Sequence, residues 1–297
     1  MQVVVGAGPV GTSTARLLAE QGEEVKLVSR RGTGPDHPGI TLVKADAAAG
    51  LTDVAAGASA LYNCAGLPYH RWSTDWPPLN DALIRTAEAT GAVLVSAGNL
   101  YAYGPVDGPI TEETPERPNS VKGEVRARMW ADVLAAHQAG RIRAAEVRSS
   151  DYLGAGAQSV MSVVVFPKVR AGKTASVPAD LDALHSWTAV ADVARTLVAV
   201  ASASEDLVLG RVWHVPTPAP MSIRDLATRY AVLTNSPEPK LSRMPAPILW
   251  LGGLFNPTAK EMREIQYQLA HPFILDSTAA TNTFGITPLT TDEALQL

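Results

Sequence analysis

The sequence predicts an α/β fold, a doubly wound parallel sheet with a second, smaller lobe, and three observations point to it. From Met1 to about Arg148, short β-branched runs alternate with longer amphipathic segments, the rhythm of parallel strands joined by crossover helices. The stretch "VVVGAGPVG" sets Gly6, Gly8 and Gly11 directly after an apolar run and at the start of a helical one. Beyond Ser149 the alternation loosens, and from Pro216 onward prolines separate short helical segments, as in a lobe assembled from separate pieces of chain.

Taken in order, the strand candidates of the large domain are residues 2–5, 24–28, 41–43, 60–64, 92–95 and 143–148. Each is a short run rich in Val, Ile, Leu or Ala between turn signals. Helices are predicted between them at 11–21, 78–90 and 120–139. Residues 159–172 read as helical and 173–178 as a short strand. "HSWTAVADVARTLVAVAS" reads as a strand edge followed by a helix, and "GRVWHVP" as one more strand. Further helices are predicted at 222–233 and 258–269. The expected division is a nucleotide-binding domain of residues 1–150 plus 184–215 and a substrate-binding lobe of residues 151–183 plus 216–297.

Composition narrows the function classes. The 297 residues are 46% hydrophobic and 18% charged, with a formal net charge of −4 and a pI near 5.9. That is an ordinary globular balance without the excess of Lys and Arg that nucleic acid or anionic lipid requires. The densest basic region, Lys122, Arg126, Arg128, Arg141 and Arg143, reads as the solvated face of a helix. The single cysteine, Cys64, lies in the apolar run "ALYNCAG"; it excludes an internal disulfide framework and reads as a buried structural thiol. No basic leader precedes Val3 and no apolar stretch reaches membrane-spanning length, so the expected location is the cytoplasm. HExxH, CxxC and GxSxG are all absent, and neither a metal centre nor a serine hydrolase is expected.

The glycines point to a dinucleotide. In GxGxxG the first glycine permits the tight turn, the second lets backbone approach a pyrophosphate, and the third packs helix on strand; the helix N-terminus offers unpaired N–H groups to the phosphates. Gly6, Gly8, Pro9, Val10 and Gly11 are therefore the phosphate-binding candidates. NAD-binding versions place an Asp or Glu at the end of the second strand to accept hydrogen bonds from the adenosine ribose. This chain has Ser29, Arg30 and Arg31 there. A guanidinium pairs with a 2′-phosphate that a carboxylate would repel, so NADP(H) is the expected cofactor. Asp46, after the third strand, is placed for the adenine edge, and residues 63–66, including Ala65 and Gly66, for the underside of the adenosine half.

With these residues in hand, the chain resembles an extended short-chain dehydrogenase/reductase of the NAD(P)-dependent epimerase/dehydratase type. "GAGPVG" is similar to the first glycine motif in an atypical spacing, and "ALYNCAG" resembles the fourth-strand motif. "VSAGNLYAYGP…ITEETPERPNS" resembles the stretch carrying the catalytic Ser or Thr, "VRSSDYLGAG" the segment that passes the nicotinamide, and "HSWTAVADVARTLVA" the segment before the late helix. In that family a Ser or Thr polarises the substrate oxygen, and a Tyr-x-x-x-Lys pair moves the proton and holds the nicotinamide ribose. Here Asn99 falls at the Ser/Thr position, Lys122 at the tyrosine and Arg126 at the lysine. No tyrosine has a lysine four residues later.

Three readings of that departure stand side by side. In the first, an NADPH-dependent reductase acts on a carbonyl or activated double bond of a small organic molecule. Asn99 donates to the substrate oxygen, the proton comes from Tyr101, Tyr103, Tyr152 or Lys122, and Arg126 grips the ribose. In the second, the same fold isomerises, epimerises, dehydrates or cyclises a substrate without net redox change. In the third, the chain is a non-catalytic NADP-binding sensor. "GLPYHRWSTDWPP", with Tyr69, His70, Arg71, Trp72 and Trp76, follows the fourth strand at the carboxyl end of the sheet and offers aromatic walls for an organic substrate. His185, Trp187, Asn99 and Tyr152 complete the expected substrate pocket. The resemblance also implies a homodimer through the helices at 78–90 and 120–139.

Overall fold

The computed structural model describes residues 1–203, 208–245 and 257–297. The chain opens with strands β1 (Gln2–Val5), β2 (Val25–Ser29), β3 (Ile40–Lys44), β4 (Ala60–Asn63), β5 (Val93–Asn99) and β6 (Ala144–Ser149). Three short strands follow, β7 (Asp151–Leu153), β8 (Ala175–Val177) and β9 (Trp187–Ala189), before β10 (Val212–His214) returns to the main sheet. That sheet has seven strands in the order β10-β6-β5-β4-β1-β2-β3, and every pair is parallel. The order reverses between β1 and β4, which makes the crevice beyond their carboxyl ends the natural ligand position of this Rossmann fold.

Helices cover both faces. Helix α1 (Pro9–Glu20) follows β1, and α2 (Trp72–Thr90) and α3 (Val121–Gln138) follow β4 and β5. Two further helices, α4 (Phe166–Arg170) and α5 (Val190–Ser202), come before β10. Within β1 the side chains alternate: Val4 packs with α1 and α5 through Leu18 and Leu197, whereas Val3 and Val5 pack with α2 and α3 through Leu83 and Val133. A strand buried on both faces reads as an unbroken apolar run, and all four residues of β1 are buried.

The rest of the chain is α6 (Ile223–Leu233), strand β11 (Leu241–Arg243), α7 (Pro257–Ile265), α8 (Tyr267–Ala270), α9 (Thr278–Phe284) and α10 (Thr291–Gln296). A second core gathers Met161, Val165, Val177, Trp187, Leu226 and Tyr230, with the rings of Phe166 and Tyr230 stacked at 4.0 Å. Strand β8 pairs with β11, and β7 with β9. Helix α9 turns back to the large core, where Ala280 is fully buried. No helix among the described residues is long and apolar enough to cross a membrane.

Several elements depart from the sequence-based boundaries, each for a physical reason. Helix α2 starts six residues ahead of the predicted 78 and carries Pro77 and Pro78 inside it. An interior proline costs about 3 kcal/mol, but Trp72 and Trp76 on the added turns are buried, and burying an indole contributes on the order of 5 kcal/mol. Strand β5 runs on through Ser96, Ala97, Gly98 and Asn99 because these pair with β6; Gly98 is required there, since a Cβ would lie 2.5 Å from Glu146 Oε1. The helix predicted at 159–172 is a π-helical turn at Met161–Val165 followed by α4. Pro167 has no N–H to give to the preceding turn, and the backbone widens ahead of it. The helix predicted at 258–269 is divided into α7 and α8. The basic region is not one solvated face: Arg128 is exposed, but Lys122 and Arg126 are buried.

Candidate functional site

The site begins where β1 gives way to α1. Gly6 takes φ +105°, and a Cβ there would sit 2.5 Å from the Cys64 carbonyl oxygen; a Cβ on Gly11 would overlap the Gly6 carbonyl oxygen. Gly8 instead faces open space. Helix α1 starts at Pro9 with Gly8 as its N-cap and no side-chain cap, which leaves its first N–H groups for a ligand. Beside this turn lies a cavity of about 810 Å³ lined by Gly6, Gly8, Ser29, Arg30, Arg31, Asp46, Ala65 and Gly66. Arg30 and Arg31 are exposed, and neither has an ion-pair partner among the described residues. The Asp46 carboxylate accepts from Ala48 N at 3.2 Å and caps the short turn after β3. Cys64 is buried beneath the turn, and burial pushes its thiol up to about 12, so it is inert as a nucleophile.

A second cavity, of about 340 Å³, shares Gly8, Ala65, Gly66 and Leu67 with the first and is lined further on by Tyr69, Trp72, Asn99, Tyr101, Arg126, Asp151 and Tyr152. Aromatic rings form one wall: Tyr69 meets Trp72 edge-on at 5.1 Å, and Trp72 stacks on Tyr101 at 5.9 Å. The Tyr69 and Tyr101 hydroxyls are 2.8 Å apart. Asn99 Oδ1 accepts from Tyr101 N at 3.2 Å, which commits the carbonyl end of its amide and leaves the NH₂ end as the donor. Ser149 Oγ donates to the Tyr152 hydroxyl at 3.2 Å.

The Arg126 guanidinium lies over Trp72 at 4.7 Å and Trp76 at 4.5 Å. It is buried, and its Nε has no hydrogen-bond partner. Burial lowers its pKa, opposed by the charge of Glu146 and the phenols around it. A buried donor without a partner is costly; the guanidinium itself lines the cleft. Desolvation raises the phenols of Tyr69, Tyr101 and Tyr152, with Tyr101 well above its usual range. All three stay protonated; one hydroxyl of the Tyr69–Tyr101 pair donates to the other, and the Tyr152 hydroxyl, which accepts from Ser149, keeps its own hydrogen to give.

Tyr103, Lys122, His185, Trp187 and His70 lie outside the linings of these two cavities. The short turn Tyr101–Tyr103 sends its two tyrosines to opposite sides: Tyr103 faces the core, its hydroxyl 2.8 Å from His214 Nε2. The Lys122 ammonium pairs with Glu261 and, at 3.2 Å, with Glu264, below the Tyr69 ring. His185 is buried behind the cleft wall, and Trp187 donates from Nε1 to the Met221 carbonyl in the second core. His70 is exposed, and Arg71 pairs with Asp75 on the rim of the larger cavity.

Asp151 was missed by sequence reading. It lines the cleft with its Oδ2 3.0 Å from His185 Nε2; the available signal was an acid two residues beyond a buried strand, in the segment containing Tyr152. Among the described residues, no group of three or more His, Cys, Asp or Glu could hold a metal ion.

The profile of the NAD dependent epimerase/dehydratase family matches residues 2–215. Solved structures with the same fold include MoeE5 in complex with UDP-glucuronic acid and NAD, at 22% identity and a TM-score of 0.81 over 100% of this chain and 97% of that one. UDP-glucuronic acid 4-epimerase from Bacillus cereus in complex with NAD gives 14% and 0.78 over 100% and 94%. DesIV, a dTDP-glucose 4,6-dehydratase from Streptomyces venezuelae with NAD and TYD bound, gives 16% and 0.75 over 100% and 96%. At these identities the likeness is one of fold. The comparison with curated proteins returned no match.

Proposed function

The chain belongs to the NAD dependent epimerase/dehydratase family, and on that premise we propose that it is an NADP(H)-dependent oxidoreductase of the extended short-chain dehydrogenase/reductase type that reduces a carbonyl or activated double bond of a small organic molecule. The observation that carries the proposal is the trough formed where the two cavities meet at Gly8, Ala65 and Gly66, with two unpaired arginines at one end and a donor-lined aromatic cleft at the other. The residues fit a dinucleotide on their own chemistry. Gly6, Gly8, Pro9, Val10 and Gly11 would hold the pyrophosphate, and Ser29, Arg30 and Arg31 the 2′-phosphate. Asp46, Ala65 and Gly66 would border the adenosine, and Arg126 and Tyr152, which line the adjoining cleft, the nicotinamide ribose. When bound, that cofactor supplies or accepts hydride.

The chain's own part is to orient a substrate oxygen. The Asn99 amide donates to it, as an oxyanion-type donor does, and the Tyr101 hydroxyl, linked to Tyr69, supports it from the aromatic wall. Trp72 and Tyr69 would enclose the organic body of the substrate and exclude water. Lys122, Tyr103, His185 and Trp187 shape the walls from behind. A second reading, epimerisation or dehydration without net redox change, is favoured by the family itself, whose name records those reactions.

One assay separates the readings. The protein is incubated with NADPH and a panel of ketones, aldehydes, imines, enones and nucleotide sugars, with NADPH absorbance and products followed together. NADPH consumption that requires both protein and substrate supports the reductase. Conversion without net consumption supports the second reading, and NADPH binding with neither outcome indicates a sensor.

A further inference from the structure

We propose that Asp151 and His185 are the acid–base pair of this cleft, Asp151 exchanging a proton with a hydroxyl or carbonyl oxygen of the substrate while His185 behind it holds the carboxylate in place and shares the proton. The inference rests on the enzymatic reading above but not on its redox direction.

The fold brings the two residues together from distant parts of the chain. Strand β7 pairs with β9 in the register Asp151↔Trp187, which sets His185, two residues before Trp187, beside the Asp151 carboxylate. Asp151 lines the cleft with 29% of its side chain exposed, whereas His185 is 3% exposed. Asp151 Oδ2 is 3.0 Å from His185 Nε2, and His185 Nδ1 is 3.2 Å from the Gln268 carbonyl oxygen. A carbonyl oxygen only accepts, so Nδ1 carries its hydrogen there and Nε2 is the nitrogen that gains or loses a proton toward Asp151. The Ser150 hydroxyl, 3.4 Å from Nε2, is a further neighbour. Trp187 and Phe273, with ring centroids at 4.4 and 5.8 Å, fix the imidazole plane. An exchanging group oriented by a second, itself held by a third, is the arrangement that acid–base catalysis uses on many folds.

The other proton carriers in the cleft are less suited. Burial holds the phenols of Tyr101 and Tyr152 protonated, so they donate hydrogen bonds but are poor bases. The titratable and charged groups around the pair are the hydroxyls of Tyr69, Tyr101 and Tyr152, the Arg126 guanidinium in the same cleft, and Tyr267, which packs edge-on against Phe273. In the forward sense the substrate O–H bond breaks, a new O–H bond forms on the Asp151 carboxylate, and the negative charge passes to the substrate oxygen. In the reverse sense Asp151 returns the proton and the carboxylate charge is restored beside His185.

The test uses the full-length protein with NADPH bound and two measurements. In the first, nitrogen NMR of ¹⁵N-histidine-labelled protein reads the His185 Nε2 resonance at one fixed pH; Asp151→Asn should move it, because the 3.0 Å contact with the carboxylate is replaced, and an unmoved resonance overturns the pairing. In the second, turnover is measured against pH on whichever compound the panel assay identifies. Asp151→Asn should lower kcat about 10²-fold or more at unchanged NADPH affinity, and His185→Gln should change the shape of the pH profile. Near-normal kcat in Asp151→Asn overturns the catalytic assignment. If the protein converts no compound while the His185 resonance still moves, the pairing stands, and the enzymatic reading fails together with the role of Asp151 in turnover.

Discussion

His214 is kept neutral by the core around it. Its Nδ1–H donates to the Asp276 carbonyl at 2.9 Å, its Nε2 accepts from the Tyr103 hydroxyl at 2.8 Å, and burial lowers its pKa from 6.5 to about 4. Above pH 6.5 the ring is neutral whether the chain is folded or not, and it makes no pH-dependent contribution. As pH falls from 6.5 toward 4, the unfolded chain takes up a proton that the folded one refuses, and stability drops by about 3 kcal/mol in total. Urea unfolding across that range should show the loss in the unmodified protein and a flatter dependence in His214→Gln; equal slopes would contradict the assignment. At Asn99 the effect should be on turnover. With its carbonyl end committed to Tyr101 N, Asn99→Ala removes the one donor group this side chain offers, so activity should fall about 10²-fold while calorimetry finds NADPH affinity nearly intact.

At the scale of elements, legibility in the sequence followed burial and local chemistry. Strands β1 and β4 are buried along their whole length and stand out as largely apolar runs, whereas β6 is equally buried but carries Glu146 and Arg148 within it. The second half of β5, Ser-Ala-Gly-Asn, has no β-branched residue and exists because β6 pairs with it. The start of α2 is hidden by its prolines and revealed only by where Trp72 and Trp76 are buried. Strands β7 and β9 have three residues each and no pattern of their own; each is defined by the other. The β5–β6 contact gives a direct test, because the Gly98 position leaves no room beside Glu146, whose carboxylate holds Arg148 Nε at 2.6 Å. Gly98→Ala should destabilise the fold by about 1–3 kcal/mol through overpacking, read as a lower urea midpoint with an unchanged slope. An unchanged midpoint would show that the sheet gives way more easily than its geometry implies.

Across the whole molecule, the proposed cofactor end of the trough is drawn from fewer and more local pieces of sequence than the proposed substrate end. The glycine turn and the Ser29–Arg31 segment are read from neighbours in sequence, and both line the same cavity. The proposed substrate cleft draws on segments as distant as Tyr69, Asn99, Arg126 and Asp151, so its membership depends on tertiary packing. Sequence could not choose between Tyr101 and Tyr103 because the choice lies in the twist of one short turn. Asp151 and His185 meet only through strand pairing.

Under the proposed function the trough receives a phosphorylated dinucleotide, with Arg30 and Arg31 at its adenosine end. Charge-assisted hydrogen bonds contribute about 1.5–3 kcal/mol each, so losing even one is an effect of roughly 10- to 100-fold. Calorimetric titration of NADPH and NADH into the unmodified protein and the Arg30→Ala/Arg31→Ala double variant is the most direct measurement. Tighter NADPH binding by about 10-fold or more, with the preference largely erased in the double variant and NADH affinity little changed, is the predicted result; equal affinities in the unmodified protein, or tighter binding of NADH, would contradict it.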